Sequence, residues 1–451
     1  MSSVEQAPAD ESLYNPLEQM EINSILLYRE GWTNEEKFDI KEMMYELDFY
    51  EDIHDIMSAK IVLMDYANIT DNFPVVGGER LDIRYKTPTL DQERSAKYII
   101  AKITSKELSQ DGQNLSVLVL DLVTPERWVD ANMTLSKSYK GTYGEIVAKI
   151  LDNFTDPDRP DLPNPKPFVM DETLYVQKFI APNWSPIKCV LEISRRTMGE
   201  DHEPFYFFET LDGFNFFSIK NMLHGESVAS YRIEPGGVSQ DAGDFNRKFN
   251  RVLKYEIKPY HDRMRQFAEH GYGSRYVFLD PTTQRFKLSQ SADYRTMASN
   301  KQFFKVEEYP LVDPYVYGRD VYGDVLMVRE DKSHEGHYYR QMNASLIDDQ
   351  RVIIAVPGNS SLRAGVVVEL EIPDRSISGY RTEQVSSGRW LVCSLKQVIT
   401  RESFTTVLEL VKNGYAVDIN EKMNKEPVYD KSRAEQAVSK PSDTKPEIAA
   451  E

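Results

Sequence analysis

Two histidines stand three residues apart in His334-Glu-Gly-His337, and imidazoles that close are the first place to look for a bound metal ion. A zinc-binding helix spaces them as His-Glu-x-x-His, so that both rings leave one face, and this run is one residue short of that. It reads as a polar loop. His54, beside Glu51 and Asp52, forms a carboxylate and imidazole cluster of the kind that moves protons, yet a solvated strand end explains it more simply. Gly271-Tyr-Gly-Ser274 has the glycines of a phosphate loop but not the Gly-Lys-Ser/Thr ending that supplies a cation and a hydroxyl. No Gly-x-Ser-x-Gly elbow accompanies it, so a helix stop and turn is the reading. Asp48 with Glu51, or Glu192 with Glu200, raises the two-carboxylate chemistry of glycoside hydrolysis. Among 72 acidic residues such pairs arise by chance. The aromatic run Phe205 to Phe217 suggests a sugar platform, although rings at that spacing are more commonly core or subunit interface. No catalytic residue, cofactor or metal ligand is assigned.

The elements that would position these residues are mostly strands. Glu46 to Ile53 alternates, and Ala59 to Met64 is apolar enough for a strand buried on both faces. In Arg80 to Tyr85 one face carries Leu81, Ile83 and Tyr85, the other Arg80, Asp82 and Arg84. Asp111-Gly112 between two apolar strands signals a hairpin. Thr142 to Phe154 then has helical spacing at Ile146, Val147, Ile150, Leu151 and Phe154. A second helix opens with Ser185 as N-cap and Pro186 at its first position, with Ile187, Val190, Leu191 and Ser194 on one stripe. Phe205 to Ile219 reads as a hairpin around Asp212-Gly213. Asp244 to Glu256 and the Phe267 region are expected helical, with Gly271 as a stop. Tyr276 to Asp280 and Gln284 to Lys287 flank a turn at Pro281, and charged, Tyr-rich loops are expected over Glu307 to Arg340.

One strand pattern appears twice, once near each end of the folded part. The first copy is Gly77 to Tyr85, Lys97 to Thr104 and Leu118 to Val123. The second is Arg363 to Ile372, Gly388 to Leu395 and Thr406 to Val411. A duplicated β-domain is a structural device rather than a catalytic one. The fold class expected is mainly β with an α+β insertion.

Composition bounds the function. A chain of 451 residues with 41% hydrophobic and 11% aromatic residues holds several globular cores. No apolar run approaches the roughly 18 residues of a membrane span, and the start lacks a signal-peptide pattern, so no membrane insertion is expected. The two cysteines, Cys189 and Cys393, lie in separate apolar elements and read as buried thiols. A net charge of −18 opposes adhesion to DNA, which needs Lys or Arg at each phosphate, but suits a wall past which DNA slides.

The runs Phe49 to Ile53, Asp65 to Ile69, Gly77 to Leu81 and Lys86 to Pro88 resemble the opening of baseplate hub proteins from large, T4-like contractile-tailed phages. Pro182 to Pro186, Asp212 to Phe216, Gly271 to Asp280, Pro357 to Asn359, Leu362 to Gly365 and Ser387 to Leu391 follow in that family's order. The resemblance covers about Glu21 to Gly414. It implies a homotrimer whose two tube-type β-barrels per chain form a pseudo-sixfold ring, joining the sixfold tail tube to a trimeric central spike. On this reading residues 1–20 are an N-terminal arm, 21–125 the first tube-like barrel and 126–230 an α+β insertion. Residues 231–340 are a mixed, spike-facing connecting domain, 341–415 the second barrel and 416–451 a charged tail.

The implied partners are further copies of the chain, the spike, tail tube or tube-initiator proteins and, as a further candidate, the tape measure protein. DNA would pass without specific binding. The implied location is the virion tail baseplate, assembled in the host bacterial cytoplasm. Related hubs of secretion systems continue into an oligonucleotide-fold barrel and a β-prism, so the spike here is expected to be a separate polypeptide. Arg80, Asp82 and Arg84, with their counterparts Glu369 and Glu371, are the candidate subunit-interface residues, where charge complementarity would fix register. The alternatives are the hub of a related contractile injection system, a tail-associated cell-wall hydrolase and a host-glycan binding protein.

Overall fold

The structure is a computed structural model and describes residues 21–415 apart from 30, 32–36, 67–72, 88–89, 109–115, 155–165, 234–249, 259–261, 269–272, 275, 281–284, 289–291, 294–325, 329–336 and 374–385. The first half of the fold comprises β1 (Glu21–Tyr28), β2 (Phe38–Asp39), β3 (Met44–Asp52), β4 (Ser58–Asp65), β5 (Arg80–Thr87), β6 (Leu90–Leu108) and β7 (Ser116–Val123). Their order is β3-β4-β7-β6-β5-β1-β2, every neighbour antiparallel. Alternation dictates which face is dry: Leu81, Ile83 and Tyr85 are buried as expected, as are Leu118, Leu120 and Leu122. The expectation for β4 is corrected. Ala59, Ile61 and Leu63 are buried but Lys60, Val62 and Met64 are only half so, because an antiparallel sheet needs cover on one face alone. Six of these strands, all but β2, feed one core, with Phe49 stacked on Tyr98 at 5.7 Å between ring centroids. Each such side chain contributes about 1.5–3 kcal/mol by leaving water.

The α+β insertion follows: α1 (Pro125–Asn132), β8 (Ser138–Gly141), α2 (Tyr143–Leu151), β9 (Phe168–Met170), β10 (Gln177–Ile180), α3 (Pro186–Arg196), β11 (Phe205–Thr210), β12 (Gly213–Ser218) and α4 (Ile219–His224). A capping box starts α2, with Thr142 and Glu145 satisfying each other's backbone N–H groups. Its expected apolar stripe is buried throughout, Phe154 included. Ser185 stands at the N-cap position of α3 ahead of Pro186 but its side chain makes no capping bond, and Asp130 accepts from the Ile187 N–H at 2.7 Å instead; the buried stripe is Ile187, Val190, Ile193 and Ser194, with Leu191 at its margin. The expected hairpin β11–β12 forms, but its two-residue turn is Leu211-Asp212, one position earlier, with Gly213 already paired to Thr210. Phe205, Phe207, Phe208, Phe214 and Phe216 are all buried, so the rings are core and form no sugar platform.

Next come β13 (Ser227–Arg232), β14 (Lys254–Ile257), α5 (Arg263–Ala268), β15 (Gly273–Ser274), β16 (Tyr276–Asp280), β17 (Arg285–Leu288), β18 (Ala292–Asp293), β19 (Leu326–Val328) and α6 (His337–Leu346). Two expectations fail here. Lys254 to Glu256 is strand, not helix, since Tyr255 and Ile257 pair with the long apolar strand beyond. Parts of the expected loop region are ordered: β19 pairs with β16, and α6 buries Met342 and Leu346. Arg340 of α6 donates to the Ser194 and Thr197 carbonyl oxygens at the C-terminus of α3, where a cation is favoured. Phe267 lies in α5; Asp111-Gly112, Gly271 and His334 lie outside the described residues.

The last strands are β20 (Gln350–Pro357), β21 (Val367–Glu371), β22 (Gly388–Thr400) and β23 (Phe404–Lys412). They run β20-β23-β22-β21, with β14 added beyond β20 and β13 beyond β21, around a second core that includes Val352, Ile354, Trp390, Leu408 and Leu410. Because β22 also pairs with β3, one sheet runs through both halves. The fold is mainly β with an α+β insertion, as the sequence implied.

Candidate assembly interface

The two halves share one register through the first bulge of the long strand; β6 alone carries a second, at Thr104. Ile99 faces Val123 and Ile100 faces Leu122, the ladder skips Ala101, and Lys102 faces Asp121. In the second half Leu391 faces Val411 and Val392 faces Leu410, the ladder skips Cys393, and Ser394 faces Glu409. The bulge therefore sits at the same step of β6 and β22, where it bends the strand. Gly78 and Gly365 precede the next strand in each half, both with positive φ (+89° and +84°), which glycine alone takes without strain. The equivalence extends outward. β4 and β20 lie beyond β7 and β23, and β3 and β14 lie beyond those in turn. At the far side the halves differ, since β1 is antiparallel to β5 and β13 is parallel to β21.

The halves meet where Ser394 to Thr400 of β22 pairs with Asp52 to Glu46 of β3. Asp48 is buried here and bonds Lys396 at 2.8 Å, while Lys396 lies over the Tyr50 ring. Glu51 is buried and accepts from the Leu211 and Ala364 N–H groups, both at 3.0 Å, so one carboxylate ties β3 to the hairpin and to the second half. Burial pushes its carboxyl up, against the pull of Arg363 and those two N–H groups. Arg363 in turn reaches Asp212 at 2.6 Å, and Arg94 joins the same carboxylate at 3.2 Å. Partial burial works against the ionised Asp212, but the two guanidinium groups hold its carboxyl below the usual range.

The sequence-derived interface residues fall at equivalent places. Asp82 lies opposite Lys97 and Glu369 opposite Arg389, each in the strand that follows the glycine. Asp82 is buried, accepts from Ser95 at 3.0 Å and pairs with exposed Arg84 at 3.7 Å. Glu371 is exposed and pairs with Arg232 at 3.3 Å, Glu369 is exposed, and Arg80 is half-buried. The structure does not bring the two groups together; they occupy the same position in separate halves.

The chemistry-bearing pairs are dispersed by the fold. Asp48 and Glu51, three apart on a strand, leave opposite faces and are consumed by different bonds. Glu192 is bound to Arg196 on the surface of α3. His54 is exposed, its Nδ1 2.8 Å from Asp52 and 4.0 Å from the Cys393 sulfur, a trio of metal-ligand type that the sequence separates widely. Both cysteines are free and buried, as expected. Sequence reasoning missed a buried ion cluster in which Lys166 bridges Glu126, at 2.7 Å, and Glu209, while Thr124 donates to Glu209. Burial, with Glu126 alongside, raises the Glu209 carboxyl to about 7 despite Lys166. No local signal marks it, because its members come from a strand end, a helix, a loop and a hairpin.

Two strand edges stand open among the described residues. β14 has β20 on one side only, and Tyr255 and Ile257 are exposed there at 49% and 45%. The part of β6 beyond Ile100 pairs with β7 but has no strand on its other edge, and Ala101 to Thr104 are exposed.

No protein-family model matches the chain. It is 22% identical over 400 residues to a probable baseplate hub protein, gp334, of Vibrio phage KVP40, covering 82% of this chain and 90% of that one. Its fold is similar to a tail protein from Neisseria meningitidis MC58, with a TM-score of 0.52 and 11% identity over 87% of this chain and 96% of that one. A 43 kDa tail protein of prophage MuSo2 from Shewanella oneidensis gives 0.51 and 9% identity, over 86% and 98%. The resemblance to baseplate hub proteins read from the sequence is borne out by these likenesses.

Proposed function

We propose that this chain is the structural baseplate hub of a contractile phage tail, or of a related injection system. It would act as a homotrimer whose two equivalent half-folds per chain make a pseudo-sixfold ring between the sixfold tail tube and a trimeric spike. The observation that carries the reading is the repeated register, with its bulge at Ala101 and again at Cys393. A chain that offers the same strand order twice presents six similar units from three copies, the match needed between a threefold and a sixfold partner. The hub relative in phage KVP40, similar over 82% of this chain, supports the same reading. An acidic balance of −18 suits a ring through which DNA passes unbound. No residue carries a catalytic role in this account. The candidate interface faces remain Arg80, Asp82, Arg84, Glu369 and Glu371. In an infected cell the hub would assemble in the bacterial cytoplasm and end in the virion baseplate.

The test is co-purification with a separately expressed spike candidate and tube protein. Three hub copies on each spike trimer are expected. A chain that binds neither spike nor tube, and that releases peptidoglycan fragments instead, would overturn the reading.

A further inference from the structure

We infer that the open edge of β14 in one copy pairs, antiparallel, with the open edge of β6 in the next, reproducing between chains the β3–β22 joint found within one. This rests on the trimeric ring proposed above and names the surface that closes it. β22 uses one edge twice: Gly388 to Leu391 holds β21, and past the bulge at Cys393 Ser394 to Thr400 holds β3. β6 uses the matching edge once, since Arg94 to Ile99 holds β5 and nothing described pairs beyond Ile100. The stretch that no described strand pairs is the counterpart of the stretch that β3 fills.

β14 is the counterpart of β3. Tyr255 faces Ile354 and Ile257 faces Val352 on β20, just as Leu47 faces Ile61 and Phe49 faces Ala59 on β4. Yet Leu47 and Phe49 are fully buried whereas Tyr255 and Ile257 are about half exposed. The difference is that no described strand covers β14 as β22 covers β3. Unpaired edges with large apolar side chains invite pairing with another chain, and a closed ring removes them. The occupant is a second copy because the chain already contains a partner of the right shape for each edge.

The intrachain register carries over. With Thr104 skipped at the second bulge of β6, Ser105 corresponds to Lys396 and Leu108 to Ile399; Lys396 faces Tyr50 and Ile399 faces Leu47 at the joint, which places Ser105 opposite Lys258 and Leu108 opposite Tyr255 between chains. The Lys258 N–H points inward to the Arg351 carbonyl, at 3.0 Å, so the Ile257 N–H, one residue along, faces the open edge. Lys258 and Ser105 would then form a non-hydrogen-bonded pair, with Cα atoms about 4.5 Å apart, within disulfide reach.

The experiment is mild oxidation of the full chain carrying Ser105→Cys and Lys258→Cys, beside each single variant; native Cys189 and Cys393 are buried. Covalent dimers and closed trimers from the double variant, absent from both singles and reversed by reductant, are expected. As a readout without substitution, hydrogen exchange of unmodified protein should slow over 101–108 and 254–258 as concentration rises into the trimer range. If trimers form but neither cross-links nor edge protection accompany them, the strand pairing is wrong while the ring reading stands. If no trimer forms at any concentration, with or without spike and tube, both fall.

Discussion

Gly78 and Gly365 occupy the same point in two halves of one chain: each donates its backbone N–H at 2.8 Å to the carbonyl oxygen that precedes a bulge, that of Ile100 in the first half and Val392 in the second. The surroundings differ. A Cβ on Gly365 would come within 2.8 Å of the Phe208 ring, whereas on Gly78 it would meet Trp128 at an ordinary 3.5 Å.

The first prediction follows from that contrast. Gly78→Ala bears only the cost of a positive φ, about 1–2 kcal/mol, while Gly365→Ala adds overpacking and loses about 2–5 kcal/mol. Urea unfolding of the two variants measures this. Equal losses would mean that the second half relaxes around the added methyl.

Glu51 should matter to the union of the halves. Glu51→Ala leaves the half-buried Leu211 and the buried Ala364 N–H groups without their acceptor, at about 1–3 kcal/mol for the buried one and less for the other. Glu51→Gln keeps an amide oxygen for one of them, so its loss in thermal unfolding is expected to be smaller. A Gln variant as weak as the Ala variant would assign the effect to charge, through Arg363, instead.

The Glu126–Lys166–Glu209 cluster sets a pH dependence. Two buried carboxylates share one ammonium, and burial raises Glu209 from 4.5 to about 7, so the folded state holds a proton that the unfolded state has released. Its contribution is therefore complete below about pH 4.5 and is lost as pH rises towards about 7. Glu209→Gln, which cannot ionise, should flatten the fall of melting temperature between pH 5 and 8, roughly the window of that shift. An unchanged slope would place the titration elsewhere.

Arg84 tests the sequence-derived face. It is exposed beside buried Asp82, and Arg84→Glu should weaken self-association, read by sedimentation, more than it lowers the melting temperature. An unchanged association constant would remove that face from the ring.

Much of this was legible in the sequence because period-two and helical spacing are local. The stripes at Leu81, Ile83 and Tyr85, and at Ile146, Val147 and Ile150, needed no knowledge of neighbours. The duplication was visible in Gly77 to Tyr85 and Arg363 to Ile372 for the same reason. The strand form of Lys254 to Glu256 escapes a local reading because it depends on pairing with β20, far along the chain. Asp212 with Arg363, and Glu209 with Lys166, join distant segments through a fold that spacing does not encode. What marks an edge as open is the absence of a neighbour, and only the assembled sheet reveals that.

The central claim is that two equivalent halves in each of three chains make one ring. Sedimentation across a wide concentration range, with images of the resulting species, tests it most directly. The account predicts a mass of three chains, alone or on the spike, and rings with six similar densities around a central opening. A species that stays at the mass of one chain at every concentration, and with spike and tube proteins added, would contradict it.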